Sequence, residues 1–111
     1  MGKVGTVSVP VESAEPFLVV ATLVVRRARL REFREFEEQA AVIMARYGGE
    51  ILAQLLVDSD PAALTLREIH VVSFPDRPAF GAYRVDPELV ALGPLRERAI
   101  VSTTIRERPA E

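Results

Sequence analysis

The sequence predicts a single α+β domain with the element order β-α-β-β-α-β. Three observations carry that expectation. A β-branched apolar run, Phe17 to Val25, opens the folded part of the chain. An amphipathic segment, Leu30 to Tyr47, follows it, with apolar residues at spacings of three and four. Two further apolar runs then precede a second, broken helical region and a last short strand.

Each element has a local reason. A continuous apolar run such as Phe17–Val25 reads as a strand covered on both faces, and it stops at Arg26-Arg27. In the first helix Leu30, Phe33, Phe36 or Glu37, Ala40, Ile43, Met44 and Tyr47 fall on one side. Arg31 with Glu35, and Arg34 with Glu38, are spaced to pair on the wet side. Gly48-Gly49 ends the helix, because glycine accepts the left-handed conformation of a helix C-terminus. Glu50–Val57 reads as the second strand and Leu66–Phe74 as the third, with the turn residues Asp58-Ser-Asp-Pro61 between them. Asp76 and Asp86-Pro87 are helix starts: Asp caps the free amides, and Pro suits the first helical position. The second helical region is expected to run to about Arg98 with a break near Gly93-Pro94, and Ile100–Ile105 to be the last strand. This is the ferredoxin-like arrangement, an antiparallel sheet with the first and third strands central and both helices on one face. Residues 1–15 are expected to be a flexible leader, 16–107 the domain and 108–111 a polar tail.

Composition limits the chemistry. The chain has 111 residues and no Cys, so there is no disulfide framework, thiolate nucleophile or thiolate metal site. That agrees with a reducing, cytoplasmic setting. Basic residues number 14 and acidic residues 16, a net charge of −2, whereas nucleic-acid binders carry a basic excess. No apolar run approaches the roughly 20 residues that span a bilayer, and Met1–Glu15 lacks the apolar core of a signal peptide. No partner is therefore expected among nucleic acids or membranes.

Both faces of the first strand are apolar: Phe17, Val19, Ala21, Leu23 and Val25 on one, Leu18, Val20, Thr22 and Val24 on the other. By the same alternation the second strand offers Ile51, Ala53, Leu55 and Val57 against Leu52, Gln54 and Leu56. Two helices cover one sheet face, so the other calls for a partner, and a second copy of the chain is the economical one. A homodimer through the sheet face is expected.

Four segments carry a family resemblance: Glu68-Ile-His-Val-Val-Ser-Phe-Pro-Asp76, Ala79-Phe-Gly-Ala-Tyr83, Asp86-Pro-Glu-Leu89 and Gly93-Pro-Leu-Arg-Glu-Arg98. Together with Tyr47-Gly48-Gly49 they resemble the domain of unknown function 1330 family, over about residues 17–106. Where that family has an acid before the Phe-Pro step this chain has Ser73, and where it often has an aromatic after Pro-Glu this chain has Leu89. The resemblance implies the dimeric α+β barrel superfamily, which includes cofactor-free monooxygenases, haem-degrading proteins, isomerases and small ligand sensors. It brings no established reaction.

His70 is the only His, in mid-strand with Glu68, Val72 and Phe74 on its face. Its imidazole is the natural proton carrier near neutral pH, and Glu68 is placed to orient it. The competing reading is a strand His with no role. Arg96 is a candidate carboxylate clamp, against a plain surface ion pair. Tyr83 and Tyr47 fit helix faces and the core; Tyr83 is the better pocket candidate. Thr22, Gln54, Ser73, Thr103 and Thr104 are polar points on apolar strands, for a cavity lining or for contacts across a dimer. One His without a second ligand at a recognisable spacing predicts no metal site, and no cofactor motif is present. The functional expectation is a small apolar or aromatic molecule bound between sheet and helices, with cofactor-free chemistry by His70. The alternative is a non-enzymatic ligand sensor or accessory dimer.

Overall fold

The computed structural model describes residues 16–108; the expected leader, and the tail beyond Arg108, lie outside the described residues. The elements are β1 (Phe17–Arg26), a 3-10 turn (Arg27–Arg29), α1 (Leu30–Ala45), β2 (Glu50–Val57), β3 (Thr65–Phe74), α2 (Arg77–Arg84), α3 (Pro87–Ala91), α4 (Gly93–Ala99) and β4 (Ile100–Arg108). One antiparallel sheet has the order β2-β3-β1-β4, with β1 and β3 central, and the helices lie on one face. This is the ferredoxin-like α+β fold that the sequence predicts.

Burial alternates along the central strands. Phe17, Val19, Leu23 and Val25 of β1 and Leu66, Glu68, His70, Val72 and Phe74 of β3 are buried beneath the helices. α1 lays Phe33, Phe36, Ala40, Ile43 and Met44 onto them. The core falls into two clusters. One holds Leu23, Val25, Phe33, Phe36, Leu66 and Ile100, the other Phe17, Val19, Met44, Val72, Phe74 and Phe80.

Helix ends follow the sequence signals. Gly48 has φ 75°, and the Gly49 amide returns to the Met44 carbonyl at 3.0 Å. A Cβ on Gly49 would overlap Met44 Cγ and the Phe74 ring, so this turn also requires the absence of a side chain. Asp76 caps α2 through the Ala79 amide at 2.8 Å. Asp86 caps α3 through the amides of Glu88 and Leu89, and it also accepts the Tyr47 hydroxyl at 2.5 Å. That last bond ties the turn after α1 to the start of α3.

Three expectations are corrected. β4 continues past Ile105 to Arg108, because its backbone keeps pairing with β1, Arg108 standing opposite Leu18. An edge strand needs that ladder more than it needs apolar side chains. Arg34 does not pair with Glu38; it donates to Glu37 at 2.6 Å and, across elements, to Glu68 at 2.8 Å. The alternation predicted for β2 is broken by a bulge at Leu52, since Ile51 stands opposite Val72 but Ala53 opposite Val71. The extra residue brings Ile51 and Gln54 to the same, helix-facing side. β4 has a matching bulge at Val101: Ile100 faces Val25, Ser102 faces Val24, and Thr103 then falls opposite Leu23 on the helix side.

Among the described residues nothing covers the other sheet face. Leu18, Val20 and Val24 of β1 and Ile69 and Val71 of β3 are partly exposed there, and Leu55 of β2 is 58% exposed. The β4 side of that face is polar, with Ser102, Thr104 and Arg106.

Candidate functional site

Between the two core clusters the sheet and helices do not meet. They leave a cavity of about 410 Å³, walled by Val19, Ala21, Phe36, Met44, Val72 and Phe80 among others. That size and mainly apolar lining are those of a small-molecule pocket. Two groups of polar side chains reach the cavity: His70 with Glu37 from one direction, and Tyr83, Arg84, Arg96 and Thr103 from α2, α4 and β4.

The His70 group is a charge-balanced cluster. His70 Nε2 lies 2.9 Å from Glu37 Oε2 and 3.0 Å from Glu68 Oε1. Arg34 Nη1 donates to both carboxylates, at 2.6 and 2.8 Å. Gln54 Nε2 adds a bond to Glu37 Oε2 at 2.8 Å. Glu68 is 2% exposed, and its second oxygen, Oε2, has no partner among the described residues. Two acceptors converge on Nε2, so that nitrogen carries a proton. The 3.3 Å approach of Gln54 Nε2 to His70 Nε2 is then a contact between two donors and not a hydrogen bond. Nδ1 has no hydrogen-bond partner among the described residues.

Electrostatics follow from this geometry. Burial alone would push the His70 pKa down, but its hydrogen bonds to the Glu37 and Glu68 carboxylates and their charges outweigh it, and it is raised above 6.5. Burial alone would push Glu37 up; the bonds from His70 and Arg34 outweigh that, and it is lowered below 4.5. With His70 protonated, two carboxylates face two cations and the cluster is neutral. Loss of the proton would leave a net negative charge in a mostly buried place, which costs free energy.

The second polar group lacks this balance. Arg96 Nη2 donates to Thr103 Oγ1 at 2.8 Å, and Arg84 lies over the Phe80 ring at 5.3 Å. Neither forms an ion pair among the described residues. The Tyr83 ring packs against Phe74 and Tyr47, with centroids at 5.5 and 6.5 Å. Burial pushes the Tyr83 hydroxyl up to about 12, and the nearby charge of Arg96 works against that rise.

Of the residues singled out in the sequence, His70, Tyr83, Arg96 and Thr103 line the cavity, and Gln54 reaches its acidic cluster. Thr22 does not. It stands opposite Ile69 and Thr104 on the open sheet face, while its neighbours Ala21 and Leu23 face the helices. Ser73 and Thr104 share that open side. Tyr47 is taken up by Asp86. Sequence reading missed Glu37, Arg34 and Arg84. Glu37 had a signal, for it occupies the helix position shared with Phe36 on the apolar stripe. Glu37, Glu68 and His70 offer ligand atoms within 4.8 Å of one another, a grouping that spacing alone did not reveal. The cation expected by such a trio is already supplied by Arg34, which donates to both carboxylates.

No family model matches the chain, and no curated protein matches it. Solved structures do. SnoaB, a cofactor-independent oxygenase from Streptomyces nogalater, superposes with a TM-score of 0.60 at 14% identity, covering 87% of this chain and 95% of that one. An antibiotic biosynthesis monooxygenase, so described without proof of activity, from Nitrosomonas europaea gives 0.66 at 9% identity, covering 88% and 92%. A nipsnap family protein of unknown function from Agrobacterium tumefaciens gives 0.65 at 13% identity, covering 89% and 91%. At these identities the likeness is one of fold: the chain has the ferredoxin-like α+β architecture of these proteins.

Proposed function

We propose that the protein binds a small, mainly apolar or aromatic molecule in the cavity between sheet and helices. One observation carries this reading: the chain's only His stands at the wall of an apolar cavity of about 410 Å³, held there by two carboxylates. The reaction that fits is proton abstraction without a cofactor. His70 Nδ1 would accept a proton from a weakly acidic C–H or O–H of the ligand, while Nε2–H stays bonded to Glu37 and Glu68. The oxygenase activity in the name of SnoaB supports this class of chemistry by analogy of fold alone.

The test uses benzoylacetone, an aromatic compound with an acidic carbon-bound hydrogen, in deuterated buffer. Wild-type protein is expected to speed deuterium incorporation above the buffer rate, with a rise toward high pH as His70 loses its proton. His70→Ala is expected to abolish the gain. Equal rates in both proteins would remove His70 from the role of base.

A second reading has its own support. The charge balance around His70 favours the protonated ring, which cannot accept a proton. A ligand sensor without turnover follows if benzoylacetone shifts the Met44 methyl resonance but exchanges no faster than in buffer.

The working unit in either reading is a homodimer formed through the open sheet face, in the manner of the dimeric α+β barrel superfamily that the four resembling segments imply. The apolar residues of β1, β2 and β3 on that face support it. Light scattering at micromolar concentration is expected to give twice the chain mass, and Val20→Asp to give a monomer. A wild-type monomer would end this part of the reading.

A further inference from the structure

The two polar groups of the cavity differ in what they leave unsatisfied. Around His70, carboxylates and cations cancel. From α2 and α4, Arg84 and Arg96 bring two permanent positive charges to the cavity and meet no carboxylate among the described residues. The remaining bonds of these guanidinium groups are weak claims on them: one Thr103 hydroxyl for Arg96 and the Phe80 ring face for Arg84. Elsewhere among the described residues Arg27, Arg29, Arg34, Arg46 and Arg77 hold an acidic partner, whereas Arg26, Arg31, Arg67, Arg98, Arg106 and Arg108 do not, but none of these six lines the cavity. A chain of net charge −2 therefore carries a locally positive cavity.

Resting on the reading of this cavity as a small-molecule site, we propose that its ligand carries an anionic oxygen group, such as a carboxylate, which Arg84 and Arg96 receive. Guanidinium groups present paired donors to such oxygens, and an arginine with free donors beside a low-dielectric wall binds them more strongly than it would in water. The Tyr83 ring and Thr103 flank that end, so the aromatic body of the ligand extends along Val19, Val72 and Phe80 toward His70. This orients the ligand: its anion lies at the α2–α4 end and its weakly acidic hydrogen at His70. A ligand with the opposite polarity, a cation at the α2–α4 end, is disfavoured by the same two charges.

The experiment compares two fluorescent probes with the same aromatic body. 1-Anilinonaphthalene-8-sulfonate is anionic, and N-phenyl-1-naphthylamine is its neutral counterpart. With the full chain at low salt, the sulfonate is expected to bind about tenfold more tightly. The advantage should shrink as salt is raised. The double variant Arg84→Gln with Arg96→Gln is expected to erase it while leaving the neutral probe's affinity unchanged. Arg96→Lys should keep part of the advantage, because the charge survives without the planar fork. Equal affinities for both probes, unmoved by the double variant, would overturn the anion assignment and leave the cavity reading standing. A different control tests that reading. Ala41→Trp fills the cavity wall and is expected to abolish binding of both probes. If both bind Ala41→Trp as they bind the wild type, the cavity reading fails.

Discussion

At the His70 end of the cavity four charged side chains neutralise one another, whereas at the Arg96 end two guanidinium groups meet no acid among the described residues. The first end is largely buried: the side chains of Glu68, His70 and Glu37 are 2%, 10% and 12% exposed. The second is built on exposed arginines. The difference separates two uses of charge. Buried charge must be cancelled inside the protein, so removing one member of the His70 cluster is costly to the fold. Charge at a wet rim needs no internal partner and stays available to a ligand.

The largest effect should come from unbalancing the buried end. Arg34→Met leaves Glu68 buried without its main cation, and a loss of about 3 kcal/mol is expected. That is the low end of the range for a broken buried pair, because the Arg34 side chain is itself 42% exposed. Urea denaturation measures it. Changing Glu68→Leu together with Arg34→Met is expected to recover much of the loss, since no charge is then stranded. A small loss for Arg34→Met alone would mean that water reaches Glu68.

The wall shared by both ends gives the next effect. Gly49→Ala drives a methyl group into Met44 and Phe74, both of which line the cavity. A cost of about 2 kcal/mol is expected from overpacking, read in the same denaturation series. A neutral result would show that Met44 can turn away into the cavity.

The third effect is in pH. His70 has a folded pKa raised above 6.5, so its stabilising contribution is complete below 6.5 and fades as pH rises through the folded value. Glu37 is lowered below 4.5, so its contribution is complete above 4.5 and fades as pH falls through its folded value. The cluster therefore contributes most between 4.5 and 6.5. NMR titration of the His70 ring is expected to give a pKa above 6.5, and Glu37→Gln to lower it. A value below 6.5 in the wild type would mean that burial outweighs the two carboxylates.

The smallest effect belongs to the other end. Arg96→Ala should change stability by less than about 0.5 kcal/mol, as for an exposed side chain with one neutral hydrogen bond. A larger cost would show that Arg96 holds β4 through Thr103, and would weaken its assignment to a ligand.

How far these features could be read in advance depended on the range of the forces involved. Helix caps at Asp76 and Asp86, the glycine turn after α1 and the alternation of β3 are local, and the sequence displays them. His70 was visible as a lone titratable group, and Glu68 as its same-face neighbour. Glu37 and Arg34 were not, because Glu37 meets His70 and Arg34 meets Glu68 only when α1 lies across β3, 33 positions from Glu37 to His70 by their numbers. The misplacement of Thr22 has another origin. Both faces of β1 are apolar, so no hydrophobic contrast says which one the helices cover. The bulges at Leu52 and Val101 were hidden for a related reason: in strands with weak contrast, one extra residue leaves no mark in the pattern.

Those two bulges lie on the two edge strands of the sheet. β2 exposes Leu52, Leu55 and Leu56, and a straight, apolar edge of that kind recruits strands from other molecules into growing cross-β stacks. A bulge bends the strand and breaks the even spacing of its free amides and carbonyls, so an incoming strand finds no continuous template. The irregularity that carries Ile51, Gln54 and Thr103 to the inner side thus also interrupts, on each edge, the regular ladder on which a foreign strand would be laid down.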